Sequence, residues 1–123
     1  MAKIIRLEDA PKVFFPDGRA YRALLLPENG EAKRIGGLLG VIPAGSEGVK
    51  YHYHDERESA LFILEGSATA IVENKEYFLE KNMILYVPPK ERHRIANRGD
   101  SELRYIEFFT NPPLSSDFKE VAH

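Results

Sequence analysis

The chain has no cysteine and no tryptophan among its 123 residues. Without cysteine there is no disulfide, no thiolate nucleophile and no sulfur ligand, so any bound metal must rest on nitrogen and oxygen. No run of about 18 apolar residues occurs, and the opening MAKIIRLEDAPKVFF lacks an apolar stretch of signal-peptide length. A soluble, cytoplasmic protein is the expectation. Excess positive charge is missing too: 17 Lys and Arg against 19 Asp and Glu give a net charge of -2. With no local basic run to offset it, neither nucleic acid nor an anionic membrane is an expected partner.

What is present is ordinary globular composition, 43% hydrophobic and 29% charged, in a length suited to a single core. One domain over residues 1–123 is expected, with a core near 20–110, an N-terminal strand region at 1–19 and a tail at 111–123. Long helical periodicity is absent. Short patches rich in Val, Ile, Phe and Tyr recur between turn residues, the rhythm of an antiparallel sandwich or barrel. Strands are predicted at 20–26, 33–43, 59–65, 67–73, 76–80, 83–87, 93–97 and 102–109. The Gly36-Gly37 pair inside the second suggests a bulge. The tail TNPPLSSDFKEVAH is polar and proline-marked, with room for one short helical turn.

The chemistry gathers in YHYHDERESALFILEG, residues 51–66. In a strand, residues i and i+2 share a face, so His52 and His54 present both imidazoles on one side and Tyr51 and Tyr53 on the other. Two imidazoles on one face can chelate a transition metal. Glu58 is the natural carboxylate beside them; Asp55, Glu56 and Arg57 are expected in a solvated loop. A third histidine, His93, follows a short apolar strand and the rigid Pro88-Pro89 turn. Nothing recommends His123, at the terminus, as a ligand.

These residues carry a resemblance to a family. Gly48 to Gly66, with glycine, HxH, a following glutamate and a hydrophobic strand ending in glycine, resembles the first signature of the cupins. Asn82 to Asn97, with Pro88, His93 and Asn97 in their mutual spacing, resembles the second. Asn82 and Lys90 stand where that signature usually has glycines, which implies altered turns. Asparagine accepts left-handed backbone readily.

The resemblance implies an all-β fold, the double-stranded β-helix or jelly-roll-like antiparallel barrel, enclosing a divalent transition metal (Fe, Mn, Ni, Zn or Cu). The ligand set it implies is His52, His54, His93 and Glu58. One alternative stays open: counting forward from His54 selects Glu58 for the carboxylate position, whereas counting back from LFILEG selects Ser59. Strand alternation cannot turn both inward. Phe62 and Tyr86 are candidate pocket-lining residues. The implied function is a metal-dependent enzyme (a dioxygenase, decarboxylase, isomerase or lyase) acting on a small carboxylate- or carbonyl-bearing substrate; the alternative is a non-enzymatic small-molecule binding or sensing module. No catalytic acid or base can be placed. A homodimer using residues 1–26 is the expected assembly.

Overall fold

The computed structural model describes residues 2–121, so His123 lies outside the described residues. The chain forms two antiparallel sheets, the architecture of a double-stranded β-helix. The six-stranded sheet runs β1 (Lys12–Phe14), β2 (Tyr21–Leu26), β3 (Ile35–Ile42), β10 (Leu103–Thr110), β5 (Ser59–Glu65) and β8 (Ile84–Val87). The five-stranded sheet runs β11 (Lys119–Glu120), β4 (His52–Tyr53), β9 (His93–Ala96), β6 (Ser67–Val72) and β7 (Lys75–Glu80).

Alternation of side chains decides what enters the core. Along β5, Ser59, Leu61 and Ile63 are buried while Ala60 is exposed. Along β10, Leu103, Tyr105 and Phe109 are buried on the same face. With Leu38, Ile42, Ala70 and Ile95 they fill the space between the sheets. A second, smaller cluster of Ala10, Ala23, Leu25, Leu39 and Val41 lies on the other face of β2 and β3, covered by Ile5 and Leu7 of the N-terminal segment.

The turns are set by backbone geometry. Gly66, between β5 and β6, has φ +77°, and a Cβ there would press on the Glu102 carbonyl oxygen; only glycine meets both demands. The β6–β7 hairpin turns on Glu73 and Asn74, both at positive φ, so Lys75 already begins β7 and the turn falls one residue earlier than the sequence suggested. Asn82 and Lys90 both adopt left-handed backbone, at φ 72° and 73°, taking the conformations that glycine would otherwise supply.

Gly36 and Gly37 form no bulge. The β3–β10 register runs unbroken through both, and the irregularity falls instead on β2 between Leu24 and Leu26. The two glycines are needed for room, because the rings of Phe109 and Phe108 lie across them. The tail also differs from expectation. Rather than a helical turn, it makes β11, which pairs with β4 and lays residues 111–120 over one end of the barrel.

Candidate metal centre

Strand pairing brings the three histidines together. His52 on β4 is the direct cross-strand partner of His93 on β9, and His54 lies two residues on, where the Lys90 amide holds its carbonyl at 2.6 Å. The ring centroids of His52 and His93 are 4.3 Å apart; His54 lies 4.9 Å from His52 and 5.4 Å from His93. One ring nitrogen from each falls within 4.8 Å of the other two.

Each ring is oriented by the backbone. His52 Nδ1 donates to the Lys50 carbonyl at 2.7 Å, His54 Nδ1 to that of Asp117 at 2.6 Å, and His93 Nδ1 to that of Glu91 at 2.9 Å. A carbonyl only accepts, so Nδ1 carries the proton in all three and each Nε2 keeps its lone pair. Burial reinforces this. It depresses the pKa of His52 to about 3 and of His93 to about 4, each further lowered by a neighbouring histidine, and lowers that of His54 as well. The imidazoles are therefore neutral at pH 7, the protonation state a metal requires.

The tail completes the enclosure. Phe118 stacks on His52, with centroids 4.5 Å apart and planes 20° apart. Asp117, whose carbonyl orients His54, uses its carboxylate to accept from the amides of Asp55, Glu56 and Arg57 at 2.7–3.1 Å. Arg57 is not in a solvated loop: it is 1% exposed. Its guanidinium donates to the carbonyls of Thr110, Asn111, Pro113, Leu114 and Ser116 and lies over the Phe109 ring, binding the tail to the barrel.

The carboxylate expectation is corrected. Ser59, not Glu58, turns inward, being 2% exposed, because the Glu58 amide and carbonyl pair with Thr110 and fix the parity of β5. Glu58 is exposed and accepts a 2.6 Å hydrogen bond from the Tyr86 hydroxyl. Phe62 and Tyr86 share that outward parity, register neighbours of Ile84 and Ala60 on the outer surface, and do not line the cavity. Asn97 serves the fold, its amide donating to the carbonyls of Ile42 and Ser101.

A cavity of about 540 Å³ opens beside the histidines, within the size range of small-molecule sites. Its other wall is the inner face of the six-stranded sheet and includes Arg22, Tyr105 and Glu107, which sequence reasoning passed over. Glu107 lines the cavity and is half-buried; burial raises its carboxyl pKa, against the lowering effect of Arg22. Buried Ser59 stands beside it and favours its ionised form, but its hydroxyl makes no hydrogen bond of good geometry, so that help is weak. The signal was in the text: in ELRYIEFF, Glu107 shares the parity of Leu103, Tyr105 and Phe109, a carboxylate on an otherwise apolar inward face.

Two antiparallel sheets closing on three backbone-oriented imidazoles beside an internal cavity define a small β-barrel with a candidate metal centre inside it. The family model described as Cupin domain matches residues 38–109, and the chain belongs to the cupin superfamily. It is 38% identical over 93% of its length, and 73% of the relative's, to the tetracenomycin polyketide synthase protein TcmJ of Streptomyces glaucescens. It is 31% identical to an uncharacterized protein of Methanocaldococcus jannaschii, over 97% of this chain and 95% of that one. Among solved structures, the polyketide cyclase RemF of Streptomyces resistomycificus matches with a TM-score of 0.81 at 18% identity, covering 100% of this chain and 87% of that one. That likeness speaks for the fold.

Proposed function

We propose that His52, His54 and His93 hold one divalent transition-metal ion through Nε2, and that the protein is a metal-dependent enzyme acting on a small carboxylate- or carbonyl-bearing substrate in the cavity. The observation that carries this reading is the threefold lock of Nδ1 on backbone carbonyls. Incidental histidines have no reason to be held through the same nitrogen three times, whereas metal-binding ones are oriented in this way. Three neutral nitrogens without a carboxylate suit zinc, copper, nickel or iron better than manganese. When bound, such an ion supplies positive charge for a carbonyl or enolate oxygen, and iron or copper adds redox chemistry with dioxygen.

The chain's own residues supply the rest. Phe118 shields His52 from water, and Glu107, facing the cavity with a raised pKa, is suited to move a proton to or from a bound substrate. The 38% identical relative is a polyketide synthase protein, which supports a carbonyl-rich substrate. Dioxygenation, decarboxylation, isomerisation and lyase chemistry all fit.

Elemental analysis of protein purified without added metal should find about one ion per chain in the wild type and none in His54→Ala. Incubated with a mixed metabolite pool, the metal-loaded protein should consume a compound. A compound retained unchanged indicates the binding module instead, and turnover that survives both chelation and His54→Ala rules the metal reading out.

A homodimer belongs to the same proposal. In edge strand β1, Val13 and Phe14 are 47% and 55% exposed, and the outer face carries Ile84, Tyr86 and Phe108, each about half exposed or more. Elution at the 14.0 kDa of one chain would count against it.

A further inference from the structure

The inner wall of the six-stranded sheet holds polar groups that, among the described residues, make at most a weak hydrogen bond. Arg22 lines the cavity with its guanidinium 4.6 Å above the Phe15 ring, and among the described residues no acceptor takes a hydrogen bond from it and no carboxylate pairs with it. Tyr105 is 2% exposed, yet its hydroxyl has no hydrogen-bond partner among those residues. Glu107 is within electrostatic reach of Arg22 but forms no ion pair with it. Buried polar groups are almost always satisfied, so the buried Tyr105 hydroxyl, with half-buried Arg22 and Glu107 on the same cavity wall and only a weak bond from Ser59 to the latter, marks a place kept for something else.

Strand register explains why they face one another. Arg22 on β2 and Tyr105 on β10 are both paired with Gly40 of β3. The Tyr105 ring and hydroxyl lie over Gly40, in space that any Cβ would occupy. Arg22 therefore looks across a side-chain-free strand toward Tyr105, while Glu107, two residues along β10 from Tyr105, sits one row away between Leu38 and Leu61.

We infer that Arg22 and Tyr105 form a carboxylate-binding subsite, and that Glu107 selects ligands offering it a neighbouring hydroxyl: a hydroxy acid, or its enol, on an apolar body. The guanidinium fork matches a carboxylate bidentately and Tyr105 adds a third donor. Glu107, close to the bound charge, is repelled by a bare carboxylate and accommodates one whose adjacent hydroxyl donates to it. Leu24, Leu61 and Phe118 offer the apolar surface for the remainder. Arg22 also acts electrostatically on His52, so an anion held there lies near the histidines. This subsite rests on the reading of the cavity as a substrate site, but not on the presence of a metal.

The test is calorimetric titration with salicylate and with its neutral analogue salicylamide. Salicylate should bind the wild type roughly tenfold or more tightly than salicylamide, and Arg22→Gln should weaken salicylate about 10- to 100-fold while moving salicylamide little. Tyr105→Phe, which removes only the hydroxyl, should weaken salicylate by about fivefold and decides the matter if Arg22→Gln fails to fold. His54→Ala should still bind salicylate. The subsite is overturned if the wild type does not prefer salicylate, if Arg22→Gln and Tyr105→Phe both bind it as wild type does, or if His54→Ala loses it, which would put the anion on the metal. Elemental analysis of the same samples keeps the two readings apart: a metal-free wild type that still prefers salicylate sinks the metal proposal and leaves the subsite standing.

Discussion

The two walls of the cavity are finished differently. On the five-stranded sheet each polar group is paired on its far side: three imidazoles donate to three carbonyls, and the tail that supplies one of those carbonyls is itself held by Arg57 and the Asp117 carboxylate. On the six-stranded sheet Arg22 and Tyr105 have no hydrogen-bond partner among the described residues, and Glu107 has only a weak one. A wall whose supporting bonds are complete fixes the direction of its lone pairs before anything binds, and that suits an ion with strict geometric demands. A wall with open hydrogen-bonding capacity suits a ligand that brings its own donors and acceptors. The difference between the walls is thus a division of labour, and each can be disturbed separately.

The largest disturbance is expected from Arg57→Met, which strips five carbonyls of their donor and frees the tail. A loss of about 3 kcal/mol in urea unfolding is expected, together with weaker metal binding, since Asp117 would no longer hold His54. Unchanged metal affinity in a destabilised protein would show that the histidine wall does not depend on the tail. On the other wall, Gly40→Ala should cost about 2 kcal/mol, because the new methyl group must displace the Tyr105 ring, while leaving the metal content at the wild-type level. An effect on metal content would mean that the walls are mechanically coupled.

Asp117→Gly gives a narrower test of the histidine wall. Asp117 has φ 55°, so glycine relaxes the backbone and the substitution removes little but the carboxylate. With the amides of residues 55–57 released, the carbonyl that orients His54 should wander, and metal affinity measured against a competing chelator should fall roughly tenfold. An unchanged affinity would assign the tail a purely structural role.

How far this comparison was legible in the sequence also differs between the walls. The histidine wall was readable because its signal is local: HxH fixes two rings by strand parity, and the Pro88-Pro89 turn sets up His93. Glu58 was not, because both faces of SALFILE are apolar and the hydrogen bonds that choose between them come from Thr110, some fifty residues away. Phe62 and Tyr86 failed with it, since all three share one parity. Arg57 looked like part of a charged loop because its partners are backbone carbonyls, which carry no sequence signature. The eight strands given bounds were placed within a residue or two and β4 was implied by the parity of HxH; β1 was foreseen only as a strand region at 1–19, and β11, which forms by pairing with β4, was not foreseen. Arg22 could be found only through its register with Gly40, a relation between strands that no single segment displays.

The smallest effect is the most diagnostic of the open wall. The native pKa of Glu107 is raised above its ordinary 4.5 by burial, so the folded protein holds that proton more tightly than the unfolded chain. Stability from this group is therefore greatest below the unfolded value and is lost as pH rises through the raised native value. Glu107→Gln keeps the shape and removes the titration. Relative to wild type, the variant should be nearly equal in stability near pH 4 and should gain by up to about 1 kcal/mol as pH rises toward 8. The buried histidines titrate in both proteins and cancel in the difference, so paired urea melts across this range isolate Glu107. A difference that stays flat with pH would mean that Arg22 and Arg57 already compensate the carboxylate in full, and a wall balanced internally would have no unmet charge to offer a ligand.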